Sequence, residues 1–309
     1  MIAKFFQKSK PQSILVLHIL LLIFYISTLF QHGNLDFSIF NVLVEIGFFF
    51  LIVLFLLISN FIIRKNDLTY DNSYVILLLV ILFGTFYEAF LTPSMIYANL
   101  ALLLGFRKIY SLRTSSNIKK KLFDSGFWIG VAALFYMPST VYLLMLLGSV
   151  FIFGKAGIKR ILMPVLGFIA PIVIVYTYHL YGDTEIQFFE YMTLNLEYSI
   201  IYYLESEFLM PLLFLLLVGL ISVLINTPKI VMVSNNFRSS WSVLMLHFFI
   251  SLGLVLMSVG KSGSELMLLF FPSAVVIVNF IQKMKSQILK NLVLYAFLGL
   301  VLWRLFYSF

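Results

Sequence analysis

Cysteine is absent from the 309 residues, which excludes disulfides, thiolate metal ligation and palmitoylation. Charge is scarce: 11% of the residues are charged, against about 25% in a soluble globular chain. Acidic residues are the scarcer sign, 13 against 21 Lys and Arg, so the formal net charge is +8. Signatures of soluble enzymes are missing as well, with no G-x-G-x-x-G, Walker A, H-E-x-x-H or G-x-S-x-G. The four histidines (His18, His32, His179, His247) stand far apart without ligand spacing. No metal or cofactor is therefore expected. The N-terminal Lys4, Lys8 and Lys10 followed by Ser13–Phe30 have the charge pattern of a signal sequence. No small-x-small cleavage site follows, so this stretch reads as an uncleaved first helix.

What remains is apolar. Hydrophobic residues make up 62% of the chain, well above the roughly 45–50% of soluble domains, and they recur in long continuous runs. Continuous runs, as opposed to period-2 alternation, imply membrane-spanning helices, because a span must satisfy its own backbone polar groups in lipid. The expected fold is an all-α polytopic bundle, a single integral membrane domain over 1–309. In this setting the basic excess marks cytoplasmic loops and gives no reason to expect nucleic acid.

The runs place helices at Ser13–Phe30, Ser38–Ile63, Ile161–Tyr181, Leu209–Asn226, Trp241–Ser258, Glu265–Ile281 and Leu292–Tyr307. Two longer segments, Ser73–Phe106 and Phe123–Phe153, have basic residues at both ends and an internal Pro93 or Pro138. A segment that starts and ends on the basic side crosses an even number of times. Each is expected to be a hairpin of two helices, some of them short or re-entrant, turning near Thr92-Pro93 and Met137-Pro138. That gives about eleven spans with the N-terminus cytoplasmic. All of the 21 Lys and Arg except Lys261 and Arg304 then fall on the inner side. The expected location is the bacterial cytoplasmic (inner) membrane. The two tips share a Phe-Tyr … Pro-Ser-x-x-Tyr pattern. It reads either as prolines starting or kinking helices, or as a duplicated unit that sets Ser and Tyr hydroxyls at one depth.

Most carboxylates fall at the outer face: Asp36, Glu88, Asp183, Glu185, Glu190, Glu197, Glu205, Glu207 and Glu265. Glu45 is the one clearly inside the membrane. A carboxylate there is costly and should face the bundle or a cavity. Glu45 is thus the first catalytic candidate, with Asp36 and Glu88 at similar depth and Asn99 as a neighbour; a structural clasp between helices is the alternative. Lys261, in an outer loop, could bind a phosphate or be an ordinary solvated lysine. The segment 182–208 alternates carboxylates with aromatic residues, as an amphipathic helix lying at the outer interface would, and reads as a lid or docking surface. Protein partners are expected through 182–208 and the basic 107–122 loop.

The stretch LFDSGFWIGVAALFYMPSTVYLLMLLGSVFIFG, from Leu122, resembles a recurring piece of GT-C-type membrane glycosyltransferases, a basic loop leading into a Pro-Ser hairpin with Ser139 at its tip. Lys261-Ser262-Gly263-Ser264-Glu265 followed by LMLLFFPSAVV is similar to their late segment. The resemblance implies a polyprenyl-phosphate sugar-like donor, Asp36 as the acid acting on the acceptor and Lys261 as a phosphate ligand. In that reading Asn99 and Ser139 join Lys261 in binding substrate. The chain also looks like a family of bacterial multi-spanning proteins to which no activity attaches. Three functions stay open: action on a lipid-linked substrate at the outer face, a non-catalytic subunit or scaffold of a cell-envelope complex, and a transporter.

Overall fold

The computed structural model describes residues 2–32, 38–198, 200–204, 206–231 and 235–307. They form fifteen α-helices: α1 (Ile2–Phe6), α2 (Pro11–His32), α3 (Ile39–Lys65), α4 (Tyr74–Thr85), α5 (Glu88–Leu91), α6 (Pro93–Tyr110), α7 (Ile118–Phe135), α8 (Tyr142–Ile152), α9 (Ile158–Tyr181), α10 (Glu185–Tyr191), α11 (Ile201–Leu204), α12 (Leu209–Val231), α13 (Asn235–Met257), α14 (Met267–Ile281) and α15 (Gln287–Tyr307). Among the described residues the only β-pairing is one isolated antiparallel bridge, Leu196 to Ser258. Among the described residues seven helices are long and apolar enough to cross a membrane, and α4 is a shorter apolar helix. The protein is therefore a helical membrane protein.

The chain divides into two compact units: 1–93, 199–233 and 261–309 form unit 1; 94–198 and 234–260 form unit 2. At the centre of unit 1 lie α4 and α14. Every residue of α4 is buried, and α14 is buried nearly throughout. Helices α2, α3, α12 and α15 pack around these two. They turn large apolar side chains outward, such as Leu15, Phe50, Leu224 and Leu302. An apolar exterior around an apolar core is what a lipid solvent permits and water does not.

In unit 2, α7 packs along α9 at very close range. A methyl group built on Gly126 would overlap the Pro164 carbonyl, one on Gly130 the Phe168 carbonyl, and one on Gly167 the Phe123 carbonyl. Gly126 and Gly130 are four residues apart on α7, and Pro164, Gly167 and Pro171 form the buried stripe of α9. Small residues on one face let two backbones approach where lipid gives no hydrophobic drive. The opposite face of α9 (Leu162, Leu166, Ile169, Val173) stays exposed. Helix α13 packs on α8, where Tyr142 bonds Ser251 at 2.8 Å; on either side of that pair His247 Nδ1 meets Tyr110 at the end of α6 at 3.1 Å, and Ser258, just past α13, meets Tyr136, just past α7, at 2.6 Å.

Both long segments break near the predicted prolines. Pro93 opens α6, and Pro138 opens a 3-10 turn over Met137–Val141. The first break begins earlier than Thr92, however: α4 stops at Thr85, and α5 intervenes. The cause is tertiary. Arg304 Nε donates to the Thr85 carbonyl at 3.2 Å, capping a carbonyl at the end of α4. The two tips are not equivalent either. Ser94 and Tyr97 are exposed, whereas Ser139 and Tyr142 are fully buried, which removes the reading of a duplicated unit presenting equivalent hydroxyls. Segment 182–208 is not one amphipathic helix. It holds the short α10 and α11 with a non-helical stretch between them, where Glu197 N–H donates to the Met257 carbonyl at 3.0 Å.

Candidate functional site

In unit 1, α5, α11, the start of α12, the 3-10 turn Ser264–Leu266 and the last turns of α15 supply a cluster of charged and aromatic groups. Arg304 is at its centre, with no exposed surface. A cation in an otherwise apolar helix must find partners inside the bundle, and this one finds three. Besides the Thr85 carbonyl, Nη2 donates to Glu88 Oε1, and Nη1 lies 2.5 Å from Glu207 Oε2 in an ion pair without hydrogen-bond geometry. The guanidinium also lies over the rings of Tyr87 and Phe208, 4.7 Å from each. His32 stacks on Tyr87 at 4.5 Å.

Glu88 Oε2 is buried and accepts no hydrogen bond. Two carboxylates face one guanidinium, so the Arg304 cluster carries one negative charge more than it neutralises. Glu207 keeps 30% of its side-chain surface exposed, and its charge can reach solvent. Glu88 cannot do the same as easily, with 13% exposed. Its carboxylate is the group placed to take up a proton or a hydrogen-bond donor.

Beside this cluster the loop 260–265 folds around Glu265, which is 2% exposed. Its carboxylate accepts from the Tyr203 hydroxyl, from Ser262 N at 3.2 Å and from Gly263 N at 3.2 Å. The positive φ of Gly263 (89°) makes this curl possible. Phe208 fills the space where a Cβ on Gly263 would stand. Lys261 Nζ lies 4.8 Å above the Tyr203 ring. Burial, and then the Glu265, Glu88 and Glu207 carboxylates, hold the Tyr202 phenol above its usual range.

The sequence candidates distribute as follows. Glu88 and Lys261 both belong to this corner of unit 1. Glu45 is half-buried; its carboxylate accepts from Tyr25, whose ring packs 5.4 Å from Phe90 on α5. Asp36 lies outside the described residues. Asn99 and Ser139 belong to unit 2, and the Asn99 amide donates to the Met95 carbonyl of its own helix at 2.9 Å. His18 bonds its own helix at Ile14, and His247 bonds Tyr110. Sequence reasoning missed Arg304, Glu207 and Tyr203. The signal for Arg304 is present in the sequence, a single guanidinium near the end of the apolar 20-residue helix Gln287–Phe306. In the charge pattern it stands only as an exception to the segregation.

Fold and site define a multi-spanning helical membrane protein with a buried, carboxylate-rich arginine cluster. The chain belongs to a family of unknown function, DUF6427, whose model matches residues 5–308. No curated protein and no solved structure matches it. The resemblance to GT-C-type glycosyltransferases thus rests on the two quoted stretches alone.

Proposed function

We propose that the protein acts on a lipid-linked, polyprenyl-phosphate sugar-like substrate at the outer face of a bacterial cytoplasmic membrane, which it crosses about eleven times from a cytoplasmic N-terminus. The supporting observation is the corner where Glu88, Arg304, Glu207 and Lys261 meet at the end of unit 1 that charge segregation assigns to the outside. The chemistry is a group transfer. An acceptor hydroxyl loses its proton to the Glu88 carboxylate, held in place by Arg304. Its oxygen bonds the anomeric carbon, and the bond from that carbon to the phosphate oxygen breaks with its electron pair leaving on the phosphate. Lys261 carries the charge that this phosphate gains. Asp36 and Glu45 are the further carboxylates of this reading.

The test is native mass spectrometry of the protein extracted in mild detergent, with identification of retained lipids. A retained isoprenoid phosphate, lost in Lys261→Ala and kept but not turned over in Glu88→Gln, is the expected outcome. Retention of bulk phospholipid only, identical in both variants, sinks the reading. A second reading, a subunit of an envelope complex, has its own support: Tyr181, Ile186, Phe189 and Tyr198 in 181–198 are largely exposed. Stoichiometric protein partners lost when these residues are changed to Ser would favour it.

A further inference from the structure

At the first turn of α4, the end away from Arg304, unit 1 holds a pocket of about 250 Å³. Its polar lining is Asn60, Arg64, Asp67, Thr69, Asp71 and Asn72. We infer that this pocket binds the headgroup of a phospholipid that carries a primary amine, independently of the site at Arg304.

The wall is built, not collapsed. Between α3 and α4 the chain is tied to the end of α14: Asn279 donates to the Leu68 carbonyl at 2.9 Å, and Tyr70 N–H and Asn72 Nδ2 both donate to Gln282 Oε1, at 3.1 and 3.2 Å. Ser73 N–H reaches the Phe6 carbonyl of α1 at 3.0 Å. Asp67 takes a left-handed backbone, φ 51°. A loop fixed at this many points loses little entropy on binding.

Charge selects the ligand. The pocket offers one guanidinium and two carboxylates. Arg64 Nη2 lies 3.3 Å from Asp71 Oδ1 and also donates to the Ser9 hydroxyl, with the Arg64 and Asp71 side chains 47% and 76% exposed. An exposed pair of this kind is held weakly, so each partner can turn to a bound group. A phosphate suits Arg64, and an ammonium suits Asp67 and Asp71. The volume lies below the roughly 300–1,000 Å³ of pockets for drug-sized ligands and suits a headgroup.

The source is settled by what adjoins the pocket. Phe50, Leu54, Leu57 and Phe61 are all exposed and recur at three- and four-residue intervals on one face of α3, and Arg64 continues the same face. An acyl chain lying along this stripe ends with its phosphate at Arg64. A free amino acid or free phosphoethanolamine has no use for the stripe. A primary ammonium donates three hydrogen bonds and a choline group donates none, so the pocket should distinguish the two.

The full chain is reconstituted in nanodiscs containing equal phosphatidylethanolamine, phosphatidylcholine and phosphatidylglycerol, and retained lipid is counted by native mass spectrometry after partial delipidation. Phosphatidylethanolamine should be enriched roughly tenfold over the other two, the effect of one charge-assisted hydrogen bond. Asp71→Asn and Asp67→Asn should abolish the enrichment at unchanged thermal unfolding, since Asn tolerates the left-handed backbone. If Asp67→Asn lowers the unfolding temperature, Asp71→Asn alone carries the test. Equal retention of the three lipids, or enrichment unchanged in Asp71→Asn, overturns the inference. Displacement of the lipid by millimolar phosphoethanolamine overturns the assignment to a lipid.

Discussion

A guanidinium without solvent must direct its donors at protein acceptors, and those of Arg304 meet the Thr85 carbonyl, Glu88 and Glu207. Removing one partner of a buried pair leaves the other charge stranded, at a cost of about 3–5 kcal/mol. Arg304→Met should therefore destabilise unit 1 by about that amount, measured by thermal unfolding in detergent. Adding Glu88→Gln and Glu207→Gln to Arg304→Met should recover much of the loss, because no buried charge is then unpaired. Arg304→Lys should fall between wild type and Arg304→Met: it keeps the charge but loses the planar fork and the stacking on Tyr87 and Phe208. A methionine variant as stable as wild type would remove Arg304 from the centre of the site.

Between helices, the close approach of α7 and α9 makes a sharper demand than any single hydrogen bond. Gly126→Ala would set a methyl into the Pro164 carbonyl, and backbone cannot give way as a side-chain tip can. The expected loss is about 1–3 kcal/mol, the usual cost of overpacking. Gly253→Ala on α13 is the control. Nothing lies within 4 Å of its would-be Cβ, so it should be neutral or gain up to about 1 kcal/mol from helix propensity. The helices themselves were legible in the sequence. Apolar runs put the ends of α3, α9 and α14 within a few residues of where they lie, because lipid leaves the backbone no other way to satisfy its polar groups. What was not legible depends on contacts far apart in sequence. The stop of α4 at Thr85 is set by Arg304, 219 residues away. The short α10 and α11 are two pieces where the carboxylate–aromatic alternation predicted one helix. Glu88 is legible as a candidate because it falls at a depth similar to Glu45, and Lys261 because it is a basic residue in an outer loop, whereas nothing in its neighbourhood sets Glu207 apart from Glu197.

At the scale of the whole chain, the proposed topology fixes which loops face outward. With no native cysteine, single cysteines report it cleanly. Ser94, just after Pro93, and Ser116, in the basic loop, are both exposed. Ser94→Cys should react with an impermeant maleimide from outside the cell and Ser116→Cys only after permeabilisation; the reverse pattern would invert the proposed topology and move the Arg304 cluster to the inner face. The position of Arg304 in the chain also has a consequence for biosynthesis. It follows its partner Glu88 by 216 residues. At roughly 5–20 residues per second, Glu88 is made about 10–40 s before its counter-ion exists. During that interval this end of unit 1 has no guanidinium to face its carboxylates, and α4 lacks the group that caps its final carbonyl. The nascent protein is thus kept from completing this corner until α15 has inserted, and a chain stalled before α15 presents unpaired acids to whatever surveys the membrane.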